Sequence, residues 1–302
     1  MWNSEAERDV TVRSQAPPFP PNVSVVVPVG GVDGRLKRQI AAVLAQDTPF
    51  AFDMILSLNS PAASDRAALD AILQTTADGR LRVVFSADRR GAAHARNVGA
   101  RASQAPLLAF CDADDEVHPG WLKVLVRRLE ECDAVTGQIN ELAPPGQESW
   151  RPRATPGQLP TFLGVPYVLS GNLAITREAF TAVGGFDETL SRCEDIALGW
   201  SLLHRGYRLG FAADAVLDYH HRAGLRALLR QHYWYGHGMA EVLSRYPVPT
   251  PGGPRRLTGL FLLRPNAQPA PLTIPSILRR VSLAVGRTVG LIGEWRRTAN
   301  AA

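Results

Sequence analysis

Residues 107–121 read LLAFCDADDEVHPGW. The stretch starts as an apolar run of strand length and closes on four acids within five positions: Asp112, Asp114, Asp115 and Glu116. Like charges repel, so a chain that drives a buried strand into such a knot needs a counter-charge. Carboxylates at i, i+2 and i+3 past a strand can converge on one hard divalent cation, Mg²⁺ or Mn²⁺, which takes oxygen ligands. The spacing excludes an EF-hand: counted from Asp112, the loop glycine falls on Val117 and the closing glutamate on Lys123. The same acids also suit the cap of a helix opening near His118-Pro119.

Upstream, the apolar pattern alternates between strand and helix. VSVVVPV (23–29) is β-branched and reads as a buried strand. Residues 33–46 place Leu36, Ile40, Val43 and Leu44 on one helical face. Strands are predicted at 52–58, 81–86 and 106–112, with helices at 62–76 and 90–103 between them. This rhythm implies an α/β fold: a mostly parallel central sheet flanked by helices. Ligands on such sheets bind beyond the carboxyl ends of the strands, where the acids of 112–116 lie. Downstream the rhythm breaks. A helix is expected at 118–131, a strand at 133–139, a Pro/Gly-rich loop at 142–165 and a strand at 167–176. EDIALGWSLLHRG (194–206) reads as a helix stopped by Gly206, and YRLGFAADAVLDY as one or two strands. Further helices follow at 224–245 and 275–297.

The composition fits a globular protein: 302 residues, 45% hydrophobic and 20% charged. A net charge of +5 suits an anionic ligand or surface. Cys111, Cys132 and Cys193 form no CxxC pair and read as reduced thiols of a cytoplasmic protein. We expect a disordered tail over 1–21, a catalytic domain over 22–246, a Pro/Gly linker over 247–274 and a basic amphipathic helix over 275–302. In that helix Ile277, Val281, Val285, Ile292 and Trp295 share one face, with Arg279, Arg280 and Arg287 roughly opposite. Such a helix can lie on an anionic membrane surface or dock on the enzyme with its basic face in water.

SGNLAI (170–175) leads to Arg177 and Phe180, then GGFDE (184–188), then Glu194-Asp195. Together with VSVVVPV, GAAHARNVG (91–99), FCDADD and His220-His221-Arg222, this order resembles the family 2 glycosyltransferases of the GT-A fold, over roughly residues 22–245. The resemblance implies a metal-dependent inverting hexosyl-type transfer from a nucleoside-diphosphate sugar, a UDP-sugar foremost, to a hydroxyl acceptor. The DxD motif maps to Asp112, Ala113 and Asp114 and implies a divalent cation on Asp112 and Asp114, with His220 or His221 adding a ligand. Asp195 maps to the general base and Glu194 to its helper. The helix dipole would lower an aspartate pKa there, so the base is expected to act by position more than by basicity. Pro28, Val29, Asn59 and Arg96 map to the nucleotide side; Gly171, Asn172 and Trp200 map to the sugar or acceptor side. Asn59 stands where the family carries an acid that reads the base, and Val29-Gly30-Gly31 replaces a polar or aromatic contact. Two alternatives remain open at this level, a non-catalytic scaffold of the same fold and a nucleotidyltransferase. The expected setting is cytoplasmic, at the inner face of a membrane, with no nucleic-acid partner.

Overall fold

The computed structural model describes residues 20–76, 78–151, 156–249 and 272–299. The expected tail over 1–21 and linker over 247–274 lie mostly outside the described residues.

β1 (Val23–Val29) is buried at all seven positions, which puts it in the sheet interior. It pairs in parallel with β2 (Phe52–Leu58) on one side and β4 (Leu107–Cys111) on the other, and β3 (Leu81–Phe85) extends β2. Parallel neighbours need a crossover, and α1 (Gly34–Leu44), α2 (Ala63–Thr75) and α3 (Ala92–Arg101) supply the three. α1 starts where the Asp33 carboxylate accepts from the Arg35 amide at 2.8 Å.

Past the acids the chain forms β5 (Glu116–Val117), α4 (Trp121–Arg128) and β6 (Ala134–Leu142). The expected strand at 167–176 is β9 (Asn172–Thr176), shorter than the apolar run suggests. It runs antiparallel between β4 and β6 and closes the gap between the two parallel halves. The segment 142–165, expected as loop, contains a two-stranded hairpin, β7 (Thr161–Phe162) with β8 (Val165–Pro166). α5 (Arg177–Ala182) and α6 (Glu194–His204) follow. A single strand, β10 (Leu209–His220), covers the segment read as one or two; its register slips between Ala212 and Val216. The sheet order is β3-β2-β1-β4-β9-β6-β10-β5. This brings the ends of β1, β2, β4, β6 and β10 to one edge.

One face buries Val25, Val27, Met54, Leu56 and Leu36; the other clusters Phe110, Phe180 and Phe186 with ring centroids 5.3–5.5 Å apart. α7 (Leu225–Arg245) and α8 (Ile274–Ala299) form a C-terminal helical layer. They run parallel: the Ser282 hydroxyl donates to the Leu229 carbonyl at 2.7 Å, and Gly286 and Gly290 face the backbones of Tyr233 and His237. A Cβ at Gly286 would collide with the Tyr233 carbonyl, so the helices meet backbone to backbone. The docked face of α8 carries Ser276, Arg279, Gly286, Arg287, Gly290 and Glu294. Its apolar residues, including Ile277, Val281 and Trp295, point outward. The sequence assigned the face correctly but paired the docked helix with a solvated basic face; the observed packing is the reverse.

Candidate active site

β4 carries Asp112 to the sheet edge, and the chain turns at Ala113-Asp114. Gln39, fully buried on α1, fixes the turn from below. Its Nε2 donates to the Asp112 carbonyl at 3.0 Å and its Oε1 accepts from the Val117 amide at 3.1 Å. Sequence reasoning missed Gln39, because a polar residue on a helix otherwise read by its apolar face carries no distinct signal. Gly171 lies against the same turn; a Cβ there would stand 2.8 Å from Asp112 Oδ2.

The acids are compensated one by one. Arg96 Nη2 donates to Asp112 Oδ1 at 2.6 Å, Arg35 Nη1 to Asp114 at 3.4 Å, and Arg38 stands 3.7 Å from Glu116. Asp115 is 3% exposed and, among the described residues, accepts a 3.3 Å bond from the His220 amide. Burial, with Asp112 and Asp114 nearby, pushes its carboxyl up to about 9, so it is neutral at pH 7. Asp114 is pushed up by the same causes, with Arg35 and Arg222 opposing.

Arg96 is the centre of the arrangement. It is 3% exposed, and its Nη1 donates to Glu194 Oε1 at 2.8 Å while Nη2 holds Asp112. One guanidinium thus joins the acidic turn after β4 to the acid pair that opens α6. It was expected at the nucleotide and stands instead as an internal strut. Asn97 secures it: the amide donates to Phe186 O and Glu188, both at 2.8 Å, and accepts from the Phe186 amide at 3.0 Å. Glu188 also meets His94 at 2.8 Å and Arg89 at 3.3 Å, which locks α3 to the 184–188 loop.

α6 is entered through Cys193, whose φ of 66° is left-handed and strained for a residue with a Cβ. Asp195 follows in the first helical turn and stays partly exposed. Its carboxyl is pushed up to about 7, by burial first and then by Glu194, against the pull of Arg96 and helix amides. The dipole argument predicted the opposite direction; loss of hydration outweighs it here. A carboxylate of this kind accepts a proton near neutral pH.

Other expected contacts are corrected. Asn59 donates to the carbonyls of Ser86 and Arg89, the latter at 2.8 Å, and accepts from the Gly91 amide at 2.8 Å, so its amide holds the 86–91 loop instead of facing a base. Asn172 is fully buried; it accepts from the Trp121 indole at 2.8 Å and donates to Gln138 O and Ala215 O, which leaves nothing for a sugar. Trp200 is fully buried and stacks on Phe162 at 5.6 Å, in the core and away from any acceptor. The Pro28 and Val29 side chains are also buried, so that stretch can offer a ligand backbone only.

No three His, Cys, Asp or Glu side chains converge tightly enough to cage a metal among the described residues. The donor set nevertheless fits a cation that shares its shell with a ligand. Asp112 and Asp114 offer oxygens at the edge; the His220 amide bonds Asp115, and the Nδ1 atoms of His220 and His221 are both buried without a partner among the described residues. His221 Nε2 instead faces Glu141 at 3.6 Å.

The chain is 28% identical over 258 residues to the pre-mycofactocin glycosyltransferase of Mycobacterium tuberculosis, covering 80% of this chain and 52% of that protein. It is 26% identical over 227 residues to glycosyltransferase AglE of Haloferax volcanii, covering 74% of each. The chain spans about half the length of the M. tuberculosis relative. The mannosyltransferase PcManGT from Pyrobaculum calidifontis, solved with GDP-Man and Mn²⁺, superposes with a TM-score of 0.60 at 18% identity, over 98% of this chain and 79% of that one. TarS of S. aureus with UDP-GlcNAc gives 0.54 at 16% identity, over 74% of this chain and 72% of that one. These likenesses bear out the GT-A fold. The family model described as glycosyl transferase family 2 matches residues 24–185, more than half of the chain, and the protein belongs to that family.

Proposed function

We propose that the protein is a metal-dependent inverting glycosyltransferase that moves a sugar from a nucleoside diphosphate to a hydroxyl acceptor. The observation that carries this is the Arg96 bridge, which sets the acidic turn and the Asp195 helix start on either side of one buried cation. The divalent ions or nucleotide sugars of two structural relatives support the donor class.

Asp112 and Asp114, with His220 from the rim, would hold the cation, which supplies positive charge where a departing diphosphate gains negative charge. Gln39 holds the backbone of the turn, Arg96 the Asp112 carboxylate and Arg35 that of Asp114 before any ligand arrives. Asp195 takes the proton of the acceptor hydroxyl as its oxygen attacks the anomeric carbon, and a base titrating near 7 is matched to that task. Glu194 accepts from Arg96 and positions Asp195 through the first turn of α6. Attack opposite the leaving group inverts the anomeric centre.

A thermal-melt panel of UDP, GDP, CDP and dTDP, each with and without Mn²⁺, tests the donor half. One nucleotide stabilising the protein only with metal supports the reading. No shift from any of them, together with no transfer or hydrolysis of the matching sugars, sinks it in favour of a non-catalytic member of the family.

A further inference from the structure

Arg151 follows a short 3-10 turn, Glu148–Trp150, in the segment between β6 and β9. It is 6% exposed. Its Nη2 donates to the Arg222 carbonyl at 3.2 Å, while Nε and Nη1 are buried with no partner among the described residues. A buried guanidinium with unmade hydrogen bonds is destabilising. Proteins keep such groups where a ligand completes them.

The surroundings say what kind of ligand. Arg151 lines a cavity of ≈ 410 Å³ with Gln138, Asn140, Gln147 and His221 among its neighbours; Glu148 and Glu141 put two acids on its wall, Glu141 drawn to Arg151 and 3.6 Å from His221. Arg279 of α8 is 4% exposed, has an unpartnered Nε, and is near enough to Arg151 to be repelled by it. His232 is 9% exposed; burial first, then Arg279, Arg151 and His221, hold its imidazole down to about 4. Three buried basic groups, Arg151, Arg279 and His232, therefore come together here. The cavity also adjoins the acidic turn. Residues 220–222 link the two: the His220 amide bonds Asp115, His221 lines the cavity, and the Arg222 carbonyl holds Arg151.

We propose that this cavity is an acceptor subsite for an oxyanion, a phosphate or a carboxylate borne by the acceptor, with Arg151 as the primary donor and Arg279 beside it. The word acceptor rests on the glycosyltransferase reading; the oxyanion site does not. The test uses the full chain in EDTA, so that metal on the acidic turn gathers no anion. Inorganic phosphate and acetate are titrated by thermal melt into wild type, Arg151→Met and Arg151→Lys. Wild type should be stabilised; phosphate alone identifies a phosphate subsite, and acetate as well a carboxylate subsite. Arg151→Met should melt no lower than wild type without anion, because it removes an unpaired buried charge, and should bind at least about ten-fold more weakly. Arg151→Lys keeps the charge with fewer donors and should fall between the two. No anion response in wild type, or an equal response in both variants, overturns the site. UDP and GDP with Mn²⁺ are run on wild type in parallel. A nucleotide response with no anion response in wild type fails this site alone; an anion response with no nucleotide response fails the glycosyltransferase reading alone.

The outward face of α8 carries a second inference. Ile277, Val281, Val285, Ile292 and Trp295 are 45–70% exposed. At about 100° per residue they fall within an arc of about 80°, opposite the docked face. Arg280 and Arg296 on α8, and Arg226 and Arg230 on α7, are exposed as well. The single acid of α8, Glu294, is turned inward onto Arg245 at 2.5 Å. No described helix is long and apolar enough to cross a membrane. We infer that this face lies in the plane of an anionic lipid surface, its aliphatic residues in the acyl boundary and its arginines at the headgroups. Full-length protein should co-sediment with phosphatidylcholine vesicles containing phosphatidylglycerol, and less in high salt. The triple change Ile277→Ser, Val281→Ser, Val285→Ser should weaken this at least about ten-fold with an unchanged melting point, since the docked face is untouched. A protein that ignores the vesicles, or that light scattering shows as a dimer dissolved by the triple change, overturns the inference.

Discussion

Replacing Arg96 by methionine keeps most of its volume and strands two carboxylates. Asp112 is 31% and Glu194 14% exposed at the side chain, against 3% for Arg96. Breaking a buried pair costs about 3–5 kcal/mol, mostly from the charge left behind. Asp112 can regain some water, so the lower end, about 3 kcal/mol, is the expected loss. With an unfolding entropy of about 2.1 cal/mol/K per residue over roughly 250 described residues, each kcal/mol is worth about 2 °C, and Tm should fall by about 6 °C. Differential scanning calorimetry on Arg96→Met measures this directly. Adding Glu194→Gln removes one of the stranded charges and should restore about half the loss, a coupling of about 1.5 kcal/mol. A single variant melting within about 1 °C of wild type, or a double variant whose losses simply add, would refute the account of Arg96 as a strut.

Asp195→Asn should leave metal-dependent nucleotide stabilisation intact and lower transfer by roughly 10²–10⁴-fold; near-normal turnover removes it as base. Wild-type kcat/KM should rise with pH and level off above about 7. Because the folded carboxyl keeps its proton above the ordinary 3.8, the native state holds the extra proton between there and about 7, so this group makes stability fall with rising pH across that window. Asp114→Asn should abolish the Mn²⁺-dependent nucleotide shift while the melting point without ligand holds or rises, because a carboxyl pushed up by burial loses its charge; an unchanged shift removes its metal role. Trp200→Ala should destabilise by about 3–5 kcal/mol, as a core aromatic does, whereas an acceptor-facing tryptophan would change KM and leave Tm alone.

The strand-helix alternation up to Cys111 was legible because each buried strand is a short run of Val, Ile, Leu or Phe between polar turns. Asp112 and Asp114 stood out because like charge crowds a strand end; Glu194 and Asp195, ordinary acids at a helix start, were singled out only by the family resemblance. The roles of amides were not. Asn59 and Asn172 look like ligand contacts in one dimension, yet their partners, backbone groups and the Trp121 indole, lie 27 to 51 residues away. Nothing local marks such saturation. Trp200 failed for a similar reason: its helix is apolar on more than one side, and only Phe162 decides where the ring goes. The direction of the Asp195 shift depended on how much protein surrounds it, which no helix-start rule contains.

The glycine contacts between α7 and α8 leave no room for graded change. Elsewhere a side chain can shrink or swap a methyl group and the packing adjusts by tenths of an ångström. At Gly286 the neighbour is the Tyr233 carbonyl, and a backbone cannot step aside as a rotamer does. Gly286→Ala would therefore act as a latch, lifting the whole of α8 and carrying Arg279 away from Arg151. The last layer of the protein is in this sense all-or-none: it is seated completely, or it leaves as one piece.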